Sequence, residues 1–237
     1  MERIYKLIPK YAFFPILVSL VLNMCAYFGT RLFTDSLYHY DWSIPLDHNL
    51  PLVPFFAIPY VLAYIPWIVG VIIIVRDNKE LCYKIMTAEQ IAKFICLIFF
   101  VFWPTEIIRP AITGDSFSEC LTRLVYHLDE PNNLFPSIHC LLSWIVFRGT
   151  VKCKKTGIWI KIFMFAQAII VFASVVLIKQ HVVVDIIGGI AAVEIGIFVS
   201  EKLKLYKIYY SLEAYLKKCE YGIKCFLMSS GREDMNN

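Results

Sequence analysis

The sequence predicts an all-α integral membrane protein: a single domain over residues 1–237, built as a six-transmembrane-helix bundle with short surface helices. Three observations predict it. Hydrophobic residues make up 59% of the chain and charged ones 18%, against about 45–50% and about 25% in typical soluble domains. The apolar residues fall into blocks near the roughly 17–25 residues that cross a bilayer as a helix. Lysine and arginine concentrate between alternate blocks, the pattern of a chain threaded back and forth with one charged side.

Residues 1–10 are short and basic, with Arg3, Lys6 and Lys10. The apolar run 11–29 follows. Basic-then-apolar also describes a signal peptide, but no small-residue cleavage pattern follows and more spans do, so 11–29 reads as an uncleaved first span. Residues 30–50 form a polar loop with Asp35, His39, Asp41, Asp47 and His48. The second span is 51–75, followed by a charged loop over 76–86. The third is 88–103, with Lys93 expected to snorkel to the near surface. Between spans, Ser116 precedes Glu119 by one helical turn, the signature of a capping box. Phe117, Leu121, Leu124 and Leu128 then recur at helical spacing, which predicts a short helix lying on the membrane surface. Spans four to six are 135–151, 162–178 and 182–199; Arg148 shortens the apolar core of the fourth. Residues 201–226 read as an amphipathic tail helix, with Leu205, Ile208, Tyr209, Leu212 and Leu216 on one face and lysines away from it, suited to an anionic leaflet. There is no internal repeat.

Eighteen of the 23 lysines and arginines fall on the side that holds both termini. The positive-inside rule therefore puts both termini in the cytoplasm of a multi-pass protein. All five histidines (39, 48, 127, 139 and 181) then fall on the opposite, extracytoplasmic side. The net charge of +4 is too mild to point to nucleic acid. The eight cysteines are scattered without CxxC pairs or zinc-ligand spacing, so they read as small apolar fillers and no metal site is expected. The 16% aromatic content fits interfacial belts.

Two stretches carry chemistry. Pro136-Ser137-Ile138-His139 puts an imidazole at the edge of the fourth span. Ser174 to Asp185 puts His181 four residues before Asp185. On a helix that spacing stacks the two on one face. The carboxylate can then hold one ring nitrogen and free the other to attack or to take a proton. Phosphoryl transfer needs in-line positioning and donors to the equatorial oxygens more than it needs exotic chemistry.

These stretches, with Arg109-Pro110 upstream, resemble the type-2 phosphatidic acid phosphatase superfamily and its motifs KxxxxxxRP, PSGH and SRxxxxxHxxxD. The resemblance implies a six-span membrane enzyme whose substrate is a lipid phosphate in the bilayer. It implies that His181 is the nucleophile, forming a phosphohistidine, and that Asp185 orients it. His139 becomes the general acid for the departing alcohol, and Arg109 and Ser137 bind phosphate. It implies no cofactor and no metal if Arg109 and Lys179 neutralise the phosphate. Three positions depart from the motifs: Phe102 for the lysine, Ile138 for the glycine and Val175 for the arginine. Lys179, one helical turn beyond Val175, is read as its replacement, with an interfacial snorkeller as the plainer alternative. Ser137 also suits a helix N-cap, and Ile138 should narrow the pocket. Asp129, Asn132 and Asn133 read as turn formers that can also reach substrate. Three functions stay open: hydrolysis of a lipid phosphate, lipid phosphotransfer of the inositol phosphorylceramide synthase type, and a non-catalytic protein that keeps the fold.

Overall fold

The computed structural model describes residues 7–34 and 36–219. Helix α1 (Lys10–Met24) passes through a π-helical turn at Cys25–Gly29 into a last turn at Arg31–Thr34. A one-turn helix, α2 (Pro45–Asn49), interrupts the polar loop. The next segment is α3 (Ala57–Leu62) and α4 (Tyr64–Asp77). The break between them has a cause: Pro66 lacks an N–H and its ring clashes with the carbonyl of Leu62. Then come α5 (Lys79–Phe102), the surface helix α6 (Phe117–Leu128), α7 (Ile138–Lys152), α8 (Ile158–Leu177) and α9 (Val183–Lys202).

Among the described residues, five helical segments are long and apolar enough to cross a membrane: Lys10–Thr34, Pro54–Asp77, Lys79–Phe102, Ile158–Leu177 and Val183–Lys202. This is a multi-pass membrane protein. The expected fourth span, 135–151, falls short. Helix α7 has 15 residues, about 22 Å of helix at 1.5 Å per residue, less than the roughly 30 Å of hydrocarbon. It packs among α4, α5, α8 and α9, so its neighbours rather than lipid bury most of it.

The third span begins nine residues before the expected 88, and the charged loop 76–86 is largely its first turns. Asn78 caps it by accepting the Leu81 N–H at 2.8 Å, and a Glu80–Lys84 pair one turn apart supports it. Lys93 does not snorkel. It is 3% exposed and pairs with Glu89 at 2.5 Å, with the Ser19 hydroxyl donating to the same carboxylate at 2.8 Å. Glu194, also inside a span, is held by Arg148 and by the Trp144 indole N–H.

The surface helix forms as expected: Ser116 and Glu119 make the reciprocal capping box. The tail differs in part. The chain breaks at Lys204, in the left-handed region at φ 55°, and is helical again over 208–219. Tyr206 and Tyr209 dock on Tyr83, Val75 and Ala12, while Leu205, Ile208 and Leu216 are exposed. Residues 220–226 of the predicted tail lie outside the described residues.

Small residues set the approach of α9. A Cβ on Gly196 would collide with the Ala88 carbonyl of α5. One on Gly189 would lie 2.7 Å from the Ser137 carbonyl oxygen at the start of α7. Close backbone packing of this kind is how membrane helices associate without a hydrophobic drive. It brings together the start of α7, the α8–α9 turn and the end of α6. All five histidines stand at this end: His39 beside the end of α5, His48 on α2, His127 on α6, His139 on α7 and His181 before α9.

Candidate active site

His181 lies in the turn between α8 and α9. Helix α8 ends at Leu177, and Lys179 reverses the chain at φ 54°. The Val175 carbonyl accepts the N–H groups of both Gln180, at 2.9 Å, and His181, at 3.0 Å. Asp185 is the third residue of α9. Its Oδ2 accepts the Val182 N–H at 3.0 Å and lies 3.1 Å from His181 Nδ1. The pair is made, though not by stacking along a helix: His181 precedes α9, and the carboxylate that caps the helix reaches back to the ring. With Nδ1 so occupied, Nε2 is the free nitrogen.

His139 sits in the first turn of α7. Its ring stacks on Tyr60, centroids 4.5 Å apart at 23°, and meets Trp67 at 5.5 Å. The Ser137 backbone N–H donates to the Asp185 carbonyl at 3.2 Å, which ties the two histidine-bearing elements together. The rings of His139 and His181 lie 6.0 Å apart, centroid to centroid.

Both rings border one cavity of about 440 Å³. Its wall includes Tyr27, Tyr60, Tyr64, Trp67, Arg109, Asp129, Ile138 and Gln180. Several buried polar atoms here have no hydrogen-bond partner among the described residues: His139 Nε2, Arg109 Nε, both amide atoms of Gln180 and Asn133 Oδ1. Such groups are costly to leave unpaired; together they fit a polar ligand.

A PAP2 superfamily model matches residues 32–199. The chain belongs to the PAP2 superfamily. Searches of curated proteins and of solved structures find no match.

Of the residues that the PAP2 motifs point to, His139, His181 and Arg109 border the cavity, and Asp185 lies fully buried behind His181. One Arg109 terminal nitrogen donates to the Asp129 carbonyl at 2.6 Å, and the guanidinium lies 4.7 Å over the Tyr126 ring. Burial pulls the Arg109 pKa below its usual value, against the opposing pull of the Asp129 carboxylate. Asp129 closes α6. Burial by itself would raise its pKa, but the His139 ring and the hydroxyls of Tyr27 and Tyr60 outweigh that and hold it below the ordinary carboxylate range.

Ser137 is the N-cap of α7. It is fully buried, its hydroxyl accepting the Cys140 N–H at 3.4 Å, and it does not border the cavity. Lys179 is not on a helical face with Val175, because α8 has already ended. Its ammonium donates to the carbonyls of Asp47 and Leu50, each at 2.7 Å. It borders a second cavity of about 510 Å³, shared with Arg109 and His181. Phe102 points outward and Val175 is buried in the core. Arg123 is held by Asp115 and the Ile112 and Gly114 carbonyls. Ile138 does line the cavity. Sequence reading missed Gln180 and Tyr60. Gln180 had one available signal, its place next to His181; Tyr60 had none, since only tertiary packing lays it on His139.

Proposed function

We propose that this PAP2 protein cleaves a phosphate ester of a membrane lipid through a phosphohistidine on His181. The single observation that supports it is the placing of two imidazoles 6.0 Å apart on one cavity, with a buried carboxylate on the far side of one of them. His181 Nε2 attacks phosphorus while Asp185 steadies the proton on Nδ1 and the charge that develops. His139 gives a proton to the departing lipid alcohol, then takes one from the incoming water. Arg109 neutralises a phosphoryl oxygen; its terminal nitrogens present a planar fork to such anions. Ser137 and Lys179 act at one remove: the first fixes the start of α7, the second holds the turn that carries His181 and adds positive charge from the adjoining cavity.

With the short α7 counted as a sixth crossing inside the bundle, the charge asymmetry of the loops supports a site facing away from the cytosol, with both termini inside. A second reading has a lipid or polyol hydroxyl in place of water as acceptor. The cavity, about 440 Å³, holds the donor's head group in either reading. The test is a release screen of the purified chain across phospholipids and polyprenyl phosphates. It reads inorganic phosphate, phosphorylated head group and head-group exchange, with His181→Ala as control. Release that depends on His181 is expected. Undiminished turnover in His181→Ala would refute the reading and leave a site elsewhere; no turnover in either would leave a non-catalytic member of the fold.

A further inference from the structure

The charges around the cavity do not suit a phosphomonoester. Arg109 is the one lysine or arginine on its wall among the described residues; Asp129 and Glu130 are both acidic. Arg31 stands behind them, 3.9 Å from Asp129 and 3.5 Å from Glu130. With Arg31 and Lys179 included, and with Asp185 behind His181, three basic side chains face three carboxylates and the sum is zero. A phosphomonoester brings about −1.5 to −2 near neutral pH and would meet one guanidinium beside two carboxylates. Lys179, in the adjoining cavity, is held by two carbonyls.

We propose that the lipid bound here is a zwitterionic phosphodiester. Its phosphoryl group lies at His181 and its ammonium-bearing head group lies against Asp129 and the rings of Tyr27, Tyr60, Tyr64 and Trp67. The inference rests on His181 and His139 as the reacting pair. A diester carries one negative charge and its ammonium one positive, so the ligand matches a site of zero net charge.

Three further observations support it. The Tyr27 and Tyr60 hydroxyls donate to the two oxygens of Asp129, at 2.5 and 2.8 Å, which fixes the carboxylate at the cavity while leaving its charge. Aromatic faces beside a carboxylate are the usual recognition of substituted ammonium. Gln180, 1% exposed with both amide atoms unpartnered, borders the cavity next to His181. Its NH₂ supplies a neutral donor to a phosphoryl oxygen, which suits a monoanion.

The chemistry balances. His181 Nε2 forms the N–P bond as the P–O bond to the lipid alcohol breaks, and His139 protonates that alkoxide. The phosphorylated head group stays on His181. Water or another hydroxyl then attacks phosphorus, the N–P bond breaks, and the proton of the acceptor passes to His139.

The test uses the full chain in detergent and three soluble probes: glycerophosphocholine, glycerophosphoglycerol and glycerol 3-phosphate, with binding read by calorimetry. Glycerophosphocholine should bind at least about tenfold more tightly than the other two. Asp129→Asn should erase that preference, and Tyr64→Leu, at a half-exposed ring, should lower it severalfold. His181→Ala should keep the preference while losing turnover of phosphatidylcholine. Equal binding of the probes, binding of none, or a preference unchanged in both Asp129→Asn and Tyr64→Leu would overturn the head-group assignment. Turnover that survives His181→Ala would instead overturn the catalytic reading beneath it.

Discussion

Asp185→Asn tests how the carboxylate serves His181. In the native site Asp185 Oδ2 meets both the Val182 N–H, at 3.0 Å, and His181 Nδ1, at 3.1 Å. An amide can offer its oxygen to both groups but not a charge. The loss is one charge-assisted hydrogen bond, worth about 1.5–3 kcal/mol. At 1.36 kcal/mol per tenfold in rate, that predicts a fall in kcat of about 10- to 150-fold. If the amide instead turns its NH₂ to the ring, Nδ1 becomes the acceptor and Nε2 carries the proton. The nucleophile is then blocked, and the fall approaches the roughly 10⁴ of a wrong tautomer. The weakened cap on α9 costs about 1 kcal/mol, a drop of about 2–4 °C in Tm for a chain of this size. The assay is turnover of the best lipid from the release screen, with Tm measured on the same preparation. A kcat within twofold of wild type in a folded protein would refute the orienting role.

Other outcomes follow from the same contacts. Lys93→Met strands Glu89 without its buried partner and should destabilise the protein by about 3–5 kcal/mol; adding Glu89→Leu should recover most of that, as thermal unfolding would report. Arg109→Ala should lower turnover about 10²- to 10³-fold, as loss of an oriented donor does. Lys179→Ala should cost much less, and Arg123→Ala almost nothing; equal losses at 109 and 179 would show that the second cavity belongs to the reaction. Turnover should persist in excess chelator, because side chains neutralise the phosphate; a strict need for a divalent ion would overturn that assignment.

The helices and the two histidines were legible because each depends on local pattern. Apolar blocks mark spans, Ser116 and Glu119 mark a cap, and the motif spacing marks His139, His181 and Asp185. What failed depends on neighbours or on backbone detail. The apolar count placed the third span too late, because it could not weigh the Asn78 cap and the Glu80–Lys84 pair that carry the helix through a charged stretch. Lys93 had a visible partner one turn back, Glu89, but nothing in the sequence showed Ser19 facing both. Lys179 was placed by helical spacing, whereas a left-handed residue at that very position ends the regularity. By its sequence setting Asp129 is a turn former. It does close α6, yet the fold aims its carboxylate at the cavity, between two tyrosines from different helices.

The account stands on a covalent bond between phosphorus and His181. Acid-free quenching during turnover of a head-group-labelled phospholipid, followed by peptide mass spectrometry, tests it most directly. An acid-labile phosphoryl adduct is expected on His181, and it should be absent from His181→Ala. Label on another residue, or full turnover with no adduct, would contradict it.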